Sequence, residues 1–159
     1  MDSAVEQSIP ERSLAIRRAC ARLCLHLGWS ALHEMPLPNG RRADIMALRP
    51  DGGFACIEVK SGPRDFLTDG KWPEYRAFSD CLYFAVDQDF PLALLPDDTG
   101  LIVACGNEAE VLREAPSHPL PPARRRAQLH RFATLAAQRL AWLQDPEAQV
   151  SVRMALRAE

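Results

Sequence analysis

The residues with the best claim to chemistry are Asp44, in Arg41-Arg42-Ala43-Asp44-Ile45, and Glu58 and Lys60, in Cys56-Ile57-Glu58-Val59-Lys60. Two carboxylates brought together suit a hard cation such as Mg²⁺ or Mn²⁺, which keeps several waters and takes further oxygens from a phosphate. Such a metal turns bound water into a nucleophile and offsets charge building on phosphorus. A lysine beside them would orient that water or stabilise the phosphate. With ten glutamates and only two lysines in 159 residues, a chance Glu-x-Lys is infrequent, but an upstream aspartate is easily found. The competing explanation is a cross-strand salt bridge on a solvated face, which contributes little.

Three strand-like runs must position these groups: Ser30–Met35, Arg42–Leu48 and Phe54–Lys60. Alternation along a strand puts Glu58 and Lys60 on one side, Ile57 and Val59 on the other. A three-residue Asp51-Gly52-Gly53 loop with Gly53 left-handed would set Asp44 across from Lys60 and Met46 across from Glu58. A two-residue Asp51-Gly52 turn would separate Asp44 from the other two. On the first run, a two-residue turn at Asn39-Gly40 would face Met35 to Asp44 and turn Glu34 away, whereas a one-residue slip would bring Glu34 in as a further metal ligand. His33, of opposite parity, is its rival.

Around these strands, Ile16, Cys20, Leu23 and Leu27 recur at helical spacing from Arg12 to Leu27, with Gly28 closing the helix. A helical segment over Pro63–Ser79 is interrupted by Gly70 and Pro73. Cys81–Val86 reads as a buried strand and Leu101–Ala104 as another. A long helix spans about 122–144, with an apolar stripe of Leu129, Phe132, Ala136, Leu140 and Leu143, and Asp145-Pro146 ends it. The order is α-β-β-β-α-β, then a strand and a helix.

The net charge of −2 conceals two basic segments, 12–42 and 117–144, each of net +5, around an acidic centre, 43–116, of net −8. That distribution suits a polyanion held around a metal-binding cluster, as it suits solvated helix faces. Arg41, Arg42, Lys71, Arg124, Arg126 and Arg131 are the candidate DNA-binding cations. Lys71 lies one helical turn from Tyr75, while Trp72 reads as core. Arginines in the first turn of a helix are electrostatically unfavourable, which argues against stability as their purpose. With 47% hydrophobic and 25% charged residues, the composition is that of an ordinary soluble domain. No apolar leader or spanning stretch is visible, so a cytoplasmic, nucleoid-associated location and no membrane partner are expected. Five cysteines without a Cys-x-x-Cys pair read as reduced and buried.

The element order with Asp…Glu-x-Lys resembles the restriction-endonuclease-like core of the PD-(D/E)xK nuclease superfamily. The strings Gly40-Arg41-Arg42-Ala43-Asp44-Ile45, Glu58-Val59-Lys60-Ser61, Asp65-Phe66, Asp69-Gly70-Lys71-Trp72-Pro73-Glu74-Tyr75 and Ala123-Arg124-Arg125-Arg126 resemble, more specifically, the bacterial MmcB-like DNA repair family. A length of 159 residues suits a single domain over 1–159, and the resemblance, which spans about 12–143, implies a mixed-sheet α/β fold with a core about 12–104. It also implies a Mg²⁺-dependent endonuclease acting on damaged or structured DNA. Asp44 and Glu58 would be metal ligands, with the Val59 carbonyl as a third, and Lys60 the catalytic base-type residue. Ala43 replaces the usual proline, and the glutamate many members carry on the first helix is missing, leaving Glu34 as the substitute. DNA, other repair proteins and a second copy of the chain are the expected partners. The alternative is a non-catalytic DNA-binding or adaptor protein that kept the fold.

Overall fold

The computed structural model describes residues 8–148. The chain divides at Pro121/Pro122 into two compact units. The first contains helix α1 (Ile9–His26), strands β1 (Ser30–Pro36), β2 (Arg42–Leu48) and β3 (Phe54–Val59), and short helix α2 (Pro63–Thr68). Strands β4 (Cys81–Asp87), β5 (Gly100–Cys105) and β6 (Glu108–Arg113) complete it, with 3₁₀ turns at Trp72–Phe78 and Leu92–Leu94. The second unit holds helix α3 (Pro122–Gln144).

The six strands lie in chain order, β1-β2-β3-β4-β5-β6. β1, β2 and β3 are antiparallel neighbours, β3-β4 and β4-β5 pair in parallel, and β5-β6 is antiparallel. The result is a mixed α+β fold with a six-stranded mixed sheet and a C-terminal helix. β6 was not expected. Its exposed Glu108 and Glu110 alternate with half-buried Ala109 and Val111, a period of two carried on too few apolar residues to stand out.

α1 begins with a capping box, Ser8 and Glu11 bonding reciprocally, and ends at Gly28, whose φ of +70° only glycine adopts cheaply. The Trp29 N–H then reaches the Cys24 carbonyl at 2.8 Å, closing the last turn. The apolar side of α1, from Ile16 through Ala19 and Cys20 to Cys24, packs on Ile45, Ala47, Ala55, Ile57, Val59, Tyr83 and Ala85. Strand alternation therefore sends Asp44, Met46, Cys56, Glu58 and Lys60 to the opposite face. On that face Phe66 and Trp72 meet the Phe84 ring edge-on, each with centroids 5.3 Å apart.

The two hairpins share one turn. Arg49 N–H bonds Gly53 C=O at 2.8 Å around Pro50-Asp51-Gly52, and Leu37 N–H bonds Arg41 C=O at 2.8 Å around Pro38-Asn39-Gly40. In each, the third loop residue is a left-handed glycine, Gly52 at φ +84° and Gly40 at φ +80°. The expected Asp51-Gly52-Gly53 loop is thus displaced by one residue, because Gly52 and not Gly53 takes the positive φ. Ile45 consequently faces Ile57 and Met46 faces Cys56. Continued outward, this register sets Asp44 against Glu58 rather than against Lys60. The displacement changes the pairing by two, so the three residues still share a face.

The five cysteines are free, and four are buried. Cys105 is exposed, contrary to expectation, because it ends β5 where the chain turns at Gly106. In α3, Gln128 and Phe132 are buried, while Leu129, Leu140 and Leu143 of the apolar stripe are exposed. Among the described residues no helix is long and apolar enough to cross a membrane.

Candidate active site

Asp44 and Glu58 are clasped through each other's strand. Val59 N–H donates to Asp44 Oδ2 at 2.8 Å, and Asp44 N–H donates to Glu58 Oε1 at 3.1 Å. Each carboxylate thus spends one oxygen on the neighbouring backbone and keeps the other, Asp44 Oδ1 and Glu58 Oε2, outside the clasp. Glu58 is 3% exposed. Burial, and secondarily the charge of Asp44, pushes its carboxyl up to about 8, against the backbone bond from Asp44 and the ammonium of Lys60. Burial also raises Asp44, while the Val59 N–H, Arg17 and Lys60 oppose it. The buried Cys56 thiol lies 3.9 Å from Glu58 Oε1.

Lys60 is buried, and its Nζ donates to Asp69 Oδ2 at 2.6 Å, with Asp65 Oδ1 at 4.0 Å. Burial alone would raise the Asp69 carboxyl. The bonds from Lys60 and from the Lys71 N–H together outweigh it and hold Asp69 below the ordinary range. Asp69 lies beyond α2, so the segment after β3 reaches back to the site it follows. Tyr75 is buried with its hydroxyl donating to the Arg42 carbonyl at 3.1 Å, so it holds β2 and does not face solvent.

On β1 the three-residue turn at Pro38-Asn39-Gly40 realises the slip that brings Glu34 to the register position opposite Asp44. The ladder skips that pair because Glu34 has φ +50°, uncommon for a residue with a Cβ. Arg17 of α1 stands between them, Nη1 3.4 Å from Glu34 Oε1 and Nη2 3.9 Å from Asp44 Oδ1. Glu34 also has Arg42 Nη2 at 3.8 Å. Arg17 belongs to none of the strings singled out in the sequence, and on a helix that carries four arginines nothing marks it from Arg18.

Among the described residues no group of three or more His, Cys, Asp or Glu side chains is placed to hold a metal ion. The donor set still fits Mg²⁺, which is commonly bound through one or two carboxylates with waters and phosphate oxygens completing the octahedron. Asp44 and Glu58 would each supply the oxygen that lies outside the clasp. Of the basic candidates, Arg41 Nε is paired with Glu74 at 2.6 Å. Arg42 and Lys71 are exposed in the first unit. In α3, Arg124 and Arg126 are exposed, and Arg131 Nη1 donates to Gln128 Oε1 at 3.0 Å.

A solved protein of unknown function from Silicibacter pomeroyi has the same fold, with a TM-score of 0.81 and 39% identity over 90% of this chain and 96% of that one. No curated protein matches the chain. The model of the MmcB-like family, described as DNA repair protein MmcB-like, matches residues 1–147. The chain belongs to the MmcB-like family of DNA repair proteins.

Proposed function

We propose that the protein is a Mg²⁺-dependent DNA endonuclease of the restriction-endonuclease-like, PD-(D/E)xK kind, hydrolysing phosphodiester bonds in damaged or structured DNA. The observation that carries the reading is the reciprocal clasp of Asp44 and Glu58, which holds two carboxylates on adjoining strands, Glu58 buried and Asp44 half-buried, at an electrostatic cost that a divalent cation removes. Asp44 Oδ1 and Glu58 Oε2 would hold the metal, with the Val59 carbonyl as a third candidate and Glu34 in reserve across β1. When bound, the metal supplies a Lewis acid and an acidified water.

The chain's own contribution is positional. β2 and β3 fix both carboxylates through backbone bonds that need no side-chain partner. Lys60 presents an ammonium beside them, oriented by Asp69, where negative charge develops on the phosphate. Arg42, Lys71 and the α3 arginines Arg124, Arg126 and Arg131 would contact the DNA backbone, together with Arg41 if DNA displaces Glu74. Membership in a DNA repair family supports DNA as the partner. The close Lys60–Asp69 pair favours a second reading, a DNA-binding adaptor in which that lysine is structural.

The test is cleavage of nicked, branched and single-stranded DNA in Mg²⁺ or Mn²⁺ by the wild type and by Asp44→Asn/Glu58→Gln. Metal-dependent cutting lost in the folded double variant is expected. Equal cutting, or none by either with DNA still bound, rejects the nuclease.

A further inference from the structure

We propose that Arg17 is a tethered stand-in cation: its guanidinium holds Glu34 and Asp44 together while no divalent ion is bound, and it must leave Asp44 for one to bind. This rests on the metal-dependent reading above and adds a residue from α1 to it.

The argument starts from the oxygens. Asp44 Oδ2 is committed to the Val59 N–H and Glu58 Oε1 to the Asp44 N–H. The Asp44 oxygen left for a metal is Oδ1, and that is the atom Arg17 Nη2 faces at 3.9 Å. The other terminal nitrogen faces Glu34 Oε1 at 3.4 Å, so one side chain spans two carboxylates at opposing register positions that would otherwise repel. Both separations exceed a good charged hydrogen bond, so the hold is electrostatic and loose. The guanidinium is also under-used, since Arg17 Nε is buried without a hydrogen-bond partner. Glu34, at φ +50°, keeps a strained backbone that persists only where surrounding contacts impose it, and Arg17 is one of those contacts. Lys60 does not take this role, because Asp69 holds its ammonium.

A stand-in cation makes two effects run in opposite directions. Removing it takes from the metal-free carboxylates the one cation they share, leaving Glu34 to Arg42 and Asp44 to the Val59 N–H and Lys60, and also removes a competing positive charge from Asp44. The experiment measures Mn²⁺ affinity by calorimetry and thermal unfolding in chelator for the full-length wild type, Arg17→Met and Arg17→Lys. Arg17→Met is expected to bind Mn²⁺ at least tenfold more tightly while unfolding several degrees lower without metal. Arg17→Lys, which keeps the charge on a different head group, should fall between in both. A purely structural arginine would lower the melting temperature without tightening metal binding. Mn²⁺ affinity in Arg17→Met equal to or weaker than wild type overturns the role of Arg17 alone. Failure of all three proteins to bind Mn²⁺ overturns the metal reading and this inference with it. Arg17→Gln, uncharged but still polar, supports the same comparison should the methionine variant not fold.

Discussion

Replacing Glu58 by Gln should stabilise the metal-free protein in alkaline solution and leave it nearly unchanged in acid. Glu58 titrates at about 8 in the folded chain, against 4.5 for an unperturbed carboxyl. The folded state therefore binds this proton more tightly than the unfolded state. The associated stability is fully present below pH 4.5 and is lost as pH rises through 8. At about 1.4 kcal/mol per pH unit, that interval sets a ceiling of ~5 kcal/mol. Asp44 is raised by the same burial and shares the site, so the loss belongs to the two carboxyls as a pair. Half the ceiling would still move the melting temperature by roughly 5–10 °C in a domain of this size. Urea unfolding in chelator from pH 4 to 9 reads the effect. The wild-type stability should fall across that range, the Glu58→Gln profile should be flatter, and Mn²⁺ should restore wild-type stability at high pH. Parallel profiles for the two proteins would refute the reasoning.

On the nuclease reading, Lys60→Ala should slow cleavage while Mn²⁺ and DNA affinities hold, because its ammonium would act on charge that develops during reaction; an unchanged single-turnover rate would remove it from the mechanism. On the same reading Asp69→Asn should lower kcat more than it raises KM, since Asp69 would act through Lys60, whose ammonium it holds. Changing Arg124, Arg126 and Arg131 to glutamine should weaken binding to unrelated DNA sequences and flatten its salt dependence by ~0.9 in log–log slope per lost phosphate contact. Superimposable anisotropy salt series would clear α3 of DNA contact. Gly100→Ala should destabilise by about 1–3 kcal/mol, because a Cβ there would overlap the Tyr83 ring and come within 2.8 Å of the Ala115 Cβ; chemical denaturation with an unmoved midpoint would contradict that packing.

Strand positions were legible in the sequence because apolar runs and turn residues mark them independently. Arg42–Leu48 matches β2 as observed, and Pro122–Gln144 matches α3. Register was harder, since one residue of turn decides it. Pro50-Asp51-Gly52 and Pro38-Asn39-Gly40 are the same Pro-Asx-Gly loop, and in each the left-handed glycine at its end sets the pairing. Asp44, Glu58 and Lys60 share a face in either register, because a displacement of two preserves parity. Two features had no local signal. The engagement of Lys60 by Asp69 depends on how the chain folds back between α2 and the next 3₁₀ turn. The reach of Arg17 to Glu34 and Asp44 depends on where α1 lies over the sheet. Neither is a property of spacing.

The strand order leaves β1 and β6 as the sheet's two margins, and both are poor templates for a foreign strand. β1 breaks its ladder at Glu34 and ends in Pro36, which lacks an N–H to offer. β6 carries exposed Glu108 and Glu110 along its short length. Charged, interrupted or proline-ended margins discourage edge-to-edge growth. Among the described residues, the sheet therefore offers a second copy of the chain two interrupted or charged margins.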